Sequence, residues 1–291
     1  MFDLSTPGKI GDALESVGYI PRRSDLLALS TAIHSDVTAM GGSKAIILEG
    51  PPGTGKSAFA GAVSKITGAS FVPYQFHSWS DSDELYVGVD VCAVVSGDHE
   101  SVRQEGVLAK VARLSQTQTV VVLLDEIDKA PERTEYLLLD WLQTGRVPIQ
   151  PGVHLQTDLN RVMVFITTNG YRELSSATKR RAARVVMRPL PIPQQEYLIR
   201  AKTGLSKGFI RLLWKAARGV AEDERGDALS VQEGIRLCAA VWQHAESVND
   251  IKLFLAQWAA RTSKGRANVA SSSYDKIIKA TWSELCKARS N

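Results

Sequence analysis

The chain has 291 residues, of which 44% are hydrophobic and 23% charged, and its formal net charge is +4. This composition is typical of a globular protein with one large domain, or with a medium and a small one. Its 3 cysteines and 5 histidines show no metal-ligand spacing, which argues against a disulfide framework or a zinc site. Neither a signal-peptide run nor a stretch of roughly 18 apolar residues is evident, so we expect a cytoplasmic protein without a membrane partner.

Apolar strands alternate with helical segments over the first 190 or so residues. Residues 1–40 are predicted as a linker followed by a helix, and the strand AIILEG then leads into the glycine-rich run GPPGTGKS at 50–57. The later predicted elements are, in order, the helix KSAFAGAVSKITG, a short strand at 71–77, a hairpin or inserted loop at 87–106, the helix GVLAKVARLS, the strand TVVVLLDEID, the helix PERTEYLLLDWLQTG, the hairpin RVPIQPGVHLQTD, the strand RVMVFITTNG, and a short helix and last strand in KRRAARVVMRPLPIP. This alternation predicts an α/β fold with a mostly parallel sheet covered on both faces.

The pattern changes after the proline-rich segment PLPIPQQ, where only helical periods follow. We therefore place a domain boundary near residue 192, with an N-terminal linker and helix at 1–40, a core at 41–191 and a helical domain at 192–291. Lys and Arg outnumber Asp and Glu in the C-terminal helices. Such a basic tail either contacts nucleic acid or an acidic partner, or forms a solvated helix face, and we favour the solvated face.

The run GPPGTGKS has the features of a phosphate-binding loop. Its glycines permit backbone angles that bulkier residues resist, so successive N–H groups can point at phosphate oxygens at a helix N-terminus. Lys56 is expected to reach the outer phosphates and Ser57 to ligate Mg²⁺. The alternative, a tight turn with an accidental Lys-Ser pair, is disfavoured by the preceding strand. The predicted nucleotide contacts are Gly50, Pro51, Pro52, Gly53, Thr54, Gly55, Lys56 and Ser57.

The strand VVVLLDEID carries carboxylates at its end. It places Asp125 at the carboxyl edge of the sheet, where that residue can hold Mg²⁺ through its water shell. Glu126 is placed to polarise an attacking water as a general base. The alternative is that these acids only cap the next helix. Asp128 is not assigned to the site, and a cap or a salt bridge is the alternative for it.

Two further segments are candidates for the same site. Asn169, which ends the strand VFITTNG, is placed to hydrogen-bond a γ-phosphate or the lytic water, although an Asn-Gly pair is also an ordinary turn. A basic cluster is formed by Lys179, Arg180 and Arg181. A guanidinium can stabilise the charge that develops on a transferred phosphoryl group, and this raises the reaction rate by roughly 10³ to 10⁵. The alternative for this cluster is a solvated basic face.

These motifs, in this order, resemble the AAA+ ATPases, and most closely the MoxR-like branch with its CbbQ, NorQ and GvpN type proteins. The stretches that carry the resemblance are GPPGTGKS, DSDELYVGVD, EGVLAKV before VVVLLDEIDKAP, the hairpin after DWLQTGRV, TTNGYRELSSATKRR and PLPIPQQEYLI. The resemblance covers about residues 18–245. It implies a P-loop NTPase three-layer αβα core with a mostly parallel sheet, a small all-helical lid domain, bound ATP and Mg²⁺, and insertions at about 87–104 and 146–158.

The same resemblance implies residue roles in the core. Asn169 would be the sensor-1 residue. Arg181 would be a finger that reaches into the neighbouring subunit's site, with Arg180 beside it. The segment at 18–21, including Ile20, would lie near the adenine.

In the lid, the resemblance leaves one departure. Gln232 stands where related proteins often carry a sensor-2 arginine, and Gln cannot supply the cation. Arg236 lies one turn later on the same helical face and is the candidate replacement.

Three functions stay open from the sequence. The favoured one is a ring, expected to be a hexamer, that hydrolyses ATP to remodel or activate a partner protein in the manner of a chaperone. MoxR-like proteins commonly work with a partner that bears a von Willebrand factor A domain. The second is a motor or loader acting on nucleic acid, suggested by the basic C-terminal helices and by KGR at 264–266. The third is an ATP-gated assembly subunit with little turnover.

Overall fold

The chain folds into two compact units, which are described separately. In the computed structural model, the described residues are 2–37, 42–89, 103–150, 152–222, 229–271 and 274–290. The sheet unit comprises Met1–Gly50 and Gly55–Met187, and the helical unit comprises Pro51–Thr54 and Arg188–Asn291.

A five-stranded parallel sheet is the centre of the sheet unit. Its strands are β1 (Lys44–Glu49), β2 (Ser70–Gln75), β5 (Val120–Asp125), β8 (Val162–Thr168) and β9 (Ala183–Val186), in the spatial order β2-β5-β8-β1-β9. Two antiparallel hairpins stand outside it, β3 (Val87–Val89) with β4 (Arg103–Glu105) and β6 (Arg146–Gln150) with β7 (Val153–Gln156). Because all five strands are parallel, their carboxyl ends lie at one edge of the sheet.

Helices cover both faces of this sheet. They are α1 (Pro7–Ser16), α2 (Arg23–His34), α3 (Lys56–Thr67), α4 (Ser82–Leu85), α5 (Val107–Ser115), α6 (Glu132–Thr144) and α7 (Ser176–Arg180). The strands feed both layers, since Val121 and Leu123 of β5 belong to the same core cluster as Phe59 of α3, whereas Val122 and Leu124 belong to the cluster of α6. The predicted three-layer αβα fold with a mostly parallel sheet is therefore confirmed.

The N-terminal prediction was wrong in one respect. Residues before α2 were expected to form a linker, but Pro7–Ser16 is a helix whose Ile10 and Leu14 are fully buried. The Thr6 side chain accepts a hydrogen bond from the backbone N–H of Lys9, and Pro7 stands in the first turn, where its missing N–H costs little.

Antiparallel strand pairs occur at both positions where insertions were predicted. The expected hairpin at 146–158 is β6 with β7. The expected hairpin or loop at 87–106 begins and ends in the paired strands β3 and β4, and its residues 90–102 lie outside the described part of the chain.

The helical unit is built from α8 (Ile192–Thr203), α9 (Lys207–Glu222), α10 (Val231–His244), α11 (Val248–Trp258), α12 (Ser263–Ala270) and α13 (Asp275–Ser290). Its core is apolar and includes Trp214, whose indole Nε1 donates to Gln195 Oε1 at 3.0 Å. Helix α12 was not predicted, and the Thr262 side chain caps it by accepting from the Gly265 N–H at 3.1 Å. Within the described ranges, no helix is both long enough and apolar enough to cross a bilayer.

Candidate functional site

The glycine-rich loop joins the end of β1 to the start of α3. A Cβ at Gly50 would lie 2.2 Å from the Met187 carbonyl oxygen, so only glycine fits there. Gly55 caps α3 with a φ of 93°, in the left-handed region that favours glycine. The first backbone N–H groups of α3 therefore lie beside a tight glycine turn, an arrangement that binds anions.

Residues 51–54, the middle of this loop, cluster with the helical unit. Gly53 has a φ of 77°, and Thr54 Oγ1 donates to the Pro51 carbonyl oxygen at 2.9 Å. Pro51 and Pro52 are exposed, as a loop that receives a ligand requires.

The Lys56 side chain lies within the sheet's carboxyl edge. Only 7% of this residue is exposed, and its Nζ donates to Gly50 O and to Asn169 Oδ1, both at 2.7 Å. Burial lowers the pKa of the Lys56 ammonium, while the nearby Asp125 and Asp128 oppose that shift. Two residues 113 positions apart, the loop lysine and the predicted sensor asparagine, are thus in direct contact.

Ser57 and Asp125 form the predicted magnesium pair. Ser57 Oγ donates to both carboxylate oxygens of Asp125, at 3.1 and 2.9 Å, and Thr167 Oγ1 donates to Asp125 Oδ1. A hydroxyl and a carboxylate beside a phosphate loop are the hard oxygen ligands that Mg²⁺ prefers. The residues present therefore fit a magnesium–nucleotide complex.

Glu126 occupies an unusual backbone position. Its φ of 57° makes it the one non-glycine residue with positive φ in the described part of the chain. Its own N–H donates to Thr167 Oγ1 at 2.8 Å. Non-glycine residues held in this conformation cluster at active sites and ligand-binding sites.

The Glu126 carboxylate accepts three side-chain hydrogen bonds. Asn169 Nδ2 donates to Oε1 at 2.9 Å, whereas Gln75 Nε2 and Lys129 Nζ donate to Oε2 at 2.7 and 2.6 Å. Burial raises the pKa of the Glu126 carboxyl, but the bonds from Lys129, Gln75 and Asn169 outweigh burial and hold that pKa below its ordinary value. The carboxylate is therefore ionised at neutral pH. Sequence reasoning missed both Gln75 and Lys129.

Asp128 supports the turn that carries Asn169. It is 5% exposed, and its Oδ2 accepts from the backbone N–H groups of Asn169 and Tyr171 at 3.0 and 2.9 Å. Its Oδ1 is buried and has no hydrogen-bond partner. Asp128 thus fixes a neighbouring strand end.

A second buried carboxylate, which the sequence did not single out, anchors the basic cluster. Glu135 of α6 is fully buried; its Oε1 accepts from Ser175 N at 2.9 Å and Thr178 Oγ1 at 2.6 Å, and its Oε2 from Arg172 at 2.5 Å. Although burial raises the pKa of Glu135, the hydrogen bonds from Thr178, Arg172 and Ser175 bring it below its ordinary value. Helix α7, which ends at Arg180, is therefore tied to α6.

The two candidate finger arginines differ in their surroundings. Arg181 is half-buried and donates within its own chain, to Ala177 O at 3.1 Å and to Gln143 Oε1 at 2.7 Å. Arg180 is exposed at the end of α7. Lys179, the third cation, pairs with Glu173 at 2.5 Å.

The segment expected near the adenine lies beside the start of α3. Tyr19 stacks on Phe59 of α3 with ring centroids 5.1 Å apart, and its Cε2 lies 3.9 Å from the Cβ position of Gly55. Ile20 follows and is half-buried. Its contact with a base stays a prediction.

The two lid candidates lie on helix α10 of the helical unit. Gln232 and Arg236 are both exposed and are one turn apart. Ser230 and Glu233 form a capping box at the start of this helix, which fixes where it begins. Whether either side chain meets the nucleotide stays a prediction.

Residues 45–182 match the family model described as the AAA domain of the dynein-related subfamily. The matched segment contains the lysine of the phosphate loop, most of the parallel sheet and the polar strand ends, so this part of the chain is similar to AAA domains. A curated relative, the Lon protease of Lachnoclostridium phytofermentans, is 24% identical over 304 aligned residues, covering 94% of this chain and 34% of the relative. The zinc metalloprotease YME1L1 of Mus musculus is 48% identical over 54 residues, which is 18% of this chain and 7% of the relative. The chain therefore spans about a third or less of the length of these relatives.

Two solved structures of RuvB variants from Thermotoga maritima share the fold. Each superposes with a TM-score of 0.50, at 15% and 16% sequence identity. The first covers 92% of this chain and 72% of the RuvB chain. At these identities the similarity is one of fold alone. The narrower MoxR-like assignment stays a prediction.

Proposed function

We propose that the chain is an ATP-hydrolysing, MoxR-like AAA+ ATPase that works as a ring to remodel or activate a separate partner protein. The observation that carries the catalytic part is the contact of Asn169 with both Lys56 and Glu126, at 2.7 and 2.9 Å. One amide thus bridges the residue that would hold phosphate and the residue that would act on water. The AAA domain match at 45–182 supports ATPase chemistry in general.

In this proposal each side chain has one role. Lys56 and the loop N–H groups hold phosphate oxygens, and Ser57 with Asp125 holds Mg²⁺, which when bound neutralises charge on those oxygens. Glu126 accepts a proton from the attacking water. Its Oε2 accepts from both Gln75 and Lys129, whereas Oε1 accepts from Asn169, so Oε1 is the oxygen with a lone pair left to take that proton.

The finger role requires a second subunit. A guanidinium in trans stabilises charge on the transferred phosphoryl group and is worth roughly 10³ to 10⁵ in rate. The resemblance assigns Arg181 to this role, but its bond to Gln143 engages it within its own chain. Arg180 is the exposed neighbour, so we propose that one of these two arginines acts across the interface of a homo-oligomeric ring, a hexamer by resemblance.

The test is ATP turnover per chain against protein concentration, with Mg²⁺ present. A steep rise is expected, because assembly completes each site. Mixing Lys56→Ala chains with Arg180→Ala or Arg181→Ala chains should restore partial activity only when the substituted arginine is the finger. Failure of both mixtures in rings shown by native mass spectrometry to be mixed would refute the trans finger.

A second candidate function is an ATP-gated assembly subunit with little turnover. The observation that favours it is that the Glu126 carboxylate accepts hydrogen bonds from Gln75, Lys129 and Asn169, which hold its pKa below the ordinary value and make it a weaker base. A ring that forms with ATP at every concentration, without measurable hydrolysis even with a Gln75→Ala exchange, would support this reading over the first.

A further inference from the structure

A groove in the helical unit combines basic and apolar side chains. It runs between α8 and α9 and has a volume of about 920 Å³. Its charged lining is Arg200, Lys207, Arg211, Lys215, Arg218 and Glu196. One acid among five bases gives the groove a strongly positive character.

The bases form a stripe along α9. Lys207, Arg211 and Lys215 recur every fourth residue, and Arg218 follows three residues later, so all four share one face of the helix. The stripe extends for about 16 Å along the axis at 1.5 Å per residue. The opposite face carries buried residues such as Leu213, so the apolar core of the unit lies on the side of α9 away from the stripe.

Helix α8 contributes the exposed apolar side chains of the groove beside the charged Glu196 and Arg200. Ile192 is 41% exposed and Tyr197 is 63% exposed, although both are large apolar side chains, and Pro193 beside them is exposed as well. Exposed apolar side chains next to a charged rim are typical of protein-binding surfaces.

We infer that this groove docks an acidic, amphipathic segment of the partner protein. Carboxylates of that segment would pair with the α9 stripe, and its apolar side chains would cover Ile192 and Tyr197. The inference rests on the proposed function, since it names the surface where the remodelled protein is held. A nucleic-acid strand fits less well, because its phosphates would use the stripe but only Tyr197 offers a ring for stacking, and Ile192 with Pro193 would stay exposed.

The probe is a fluorescein-labelled synthetic peptide of Glu with Leu at helical spacing, titrated with the 291-residue chain. Arg211→Glu with Lys215→Glu should weaken its binding at least about tenfold, since two attractive pairs become repulsive. The matched control is Lys264→Glu with Arg266→Glu, the same residue types and charge change on exposed positions of α12. That control should leave binding within about twofold.

A second comparison isolates the exposed apolar side chains of α8. Tyr197→Ser should weaken the Glu/Leu peptide and leave a Glu/Ser peptide of equal charge unaffected, because only the first has side chains to bury against the ring. If the double variants on α9 and α12 weakened peptide binding equally, the effect would come from the net charge of the chain and not from the groove, which would overturn the proposal. Tighter binding of an oligothymidylate of equal charge, lost in the Arg211→Glu, Lys215→Glu chain, would assign the groove to nucleic acid instead.

Two parallel readouts separate this proposal from the proposed function. ATP turnover without the peptide should be unchanged in the groove variants, and a wild-type chain that binds the peptide but never hydrolyses ATP would refute the proposed function alone. Sedimentation of the same variants should show an unchanged oligomeric state. A change there would make the groove a contact between copies and overturn the docking proposal.

Discussion

The two units place charged side chains in opposite ways. In the sheet unit, Lys56, Asp128 and Glu135 are at most 7% exposed. In the described residues of the helical unit no charged side chain is buried; Lys207, Arg211 and Lys215 of α9 are exposed and Arg218 is half-buried. Burying a charge is unfavourable unless hydrogen bonds or opposite charges compensate. In the sheet unit, hydrogen bonds and opposite charges compensate the buried charges, whereas the described charged side chains of the helical unit are exposed or half-buried and its core is apolar.

The largest effect is expected at Glu126, the proposed general base of the sheet unit. Glu126→Gln should lower ATP turnover by about 10² to 10⁴, because an amide cannot accept the proton, while nucleotide affinity is retained. Steady-state turnover and a nucleotide titration measure the two quantities. Glu15→Gln, an exposed exchange on α1, serves as the matched control. Normal turnover in the Glu126→Gln chain would remove Glu126 from the mechanism.

The next largest effect is expected on stability at Glu135, which holds residues 172–178 against α6. Glu135→Ala should lower the free energy of unfolding by about 3 to 5 kcal/mol, because it leaves the Arg172 guanidinium without its buried partner. Urea denaturation measures the change, and Glu135→Gln, which keeps an acceptor for Ser175 and Thr178, should lose less.

Glu135 also gives this comparison a pH dependence. Its pKa is held below the ordinary value, so its contribution to stability is present above the unfolded-state pKa and is lost as the pH falls through the folded-state pKa. The Glu135→Gln chain should therefore lose less stability on acidification than the wild type. Parallel acid limbs for the two chains would contradict the assignment.

The helical unit should respond less to loss of a polar contact. Trp214→Phe keeps most of the apolar burial but removes the indole N–H, and the Gln195 side-chain oxygen loses that donor. The expected cost is about 1 to 3 kcal/mol in urea denaturation. A cost larger than that of Glu135→Ala would reverse the contrast between the units.

The smallest expected effect is a shift in the pH at which ATP turnover falls on the acid side. Lys129 is the exposed donor to Glu126, and its bond helps to hold the pKa of that carboxyl below the ordinary value. Lys129→Ala should therefore raise the Glu126 pKa and move the acid limb of turnover to higher pH. Lys65→Ala, on the exposed face of α3, is the control. An acid limb that moves to lower pH would show that Lys129 acts otherwise.

Part of the site could be read directly from the sequence. Continuous apolar runs that end in polar residues predicted the strands before Asp125 and Asn169, and the spacing of GPPGTGKS predicted the loop. The parallel sheet then brought these ends together, because parallel strands share one carboxyl edge.

The residues that were missed depend on strand order and on packing between distant segments. Gln75 ends β2 opposite Asp125 of β5. The order of the strands along the chain does not predict that β2 and β5 are neighbours in the sheet. Glu135 lies in the first turn of an amphipathic helix, where a glutamate is usually solvated, and only the packing of residues 172–178 buries it. The α9 stripe likewise reads as a solvated face until α8 is placed beside it.

The close approach at Gly50 has a mechanical consequence. The sheet unit ends at Met187, whose N–H donates to the Glu49 carbonyl at 2.7 Å, one residue before the phosphate loop begins. Strand β9, just upstream, lies parallel to β1 along four residue pairs. Tension applied to the chain beyond Met187 is therefore borne first by this ladder, as a shear load, and is delivered to the strand that ends in the phosphate loop. A force that acts on the chain beyond Met187 therefore reaches the phosphate loop through the hydrogen bonds between β9 and β1.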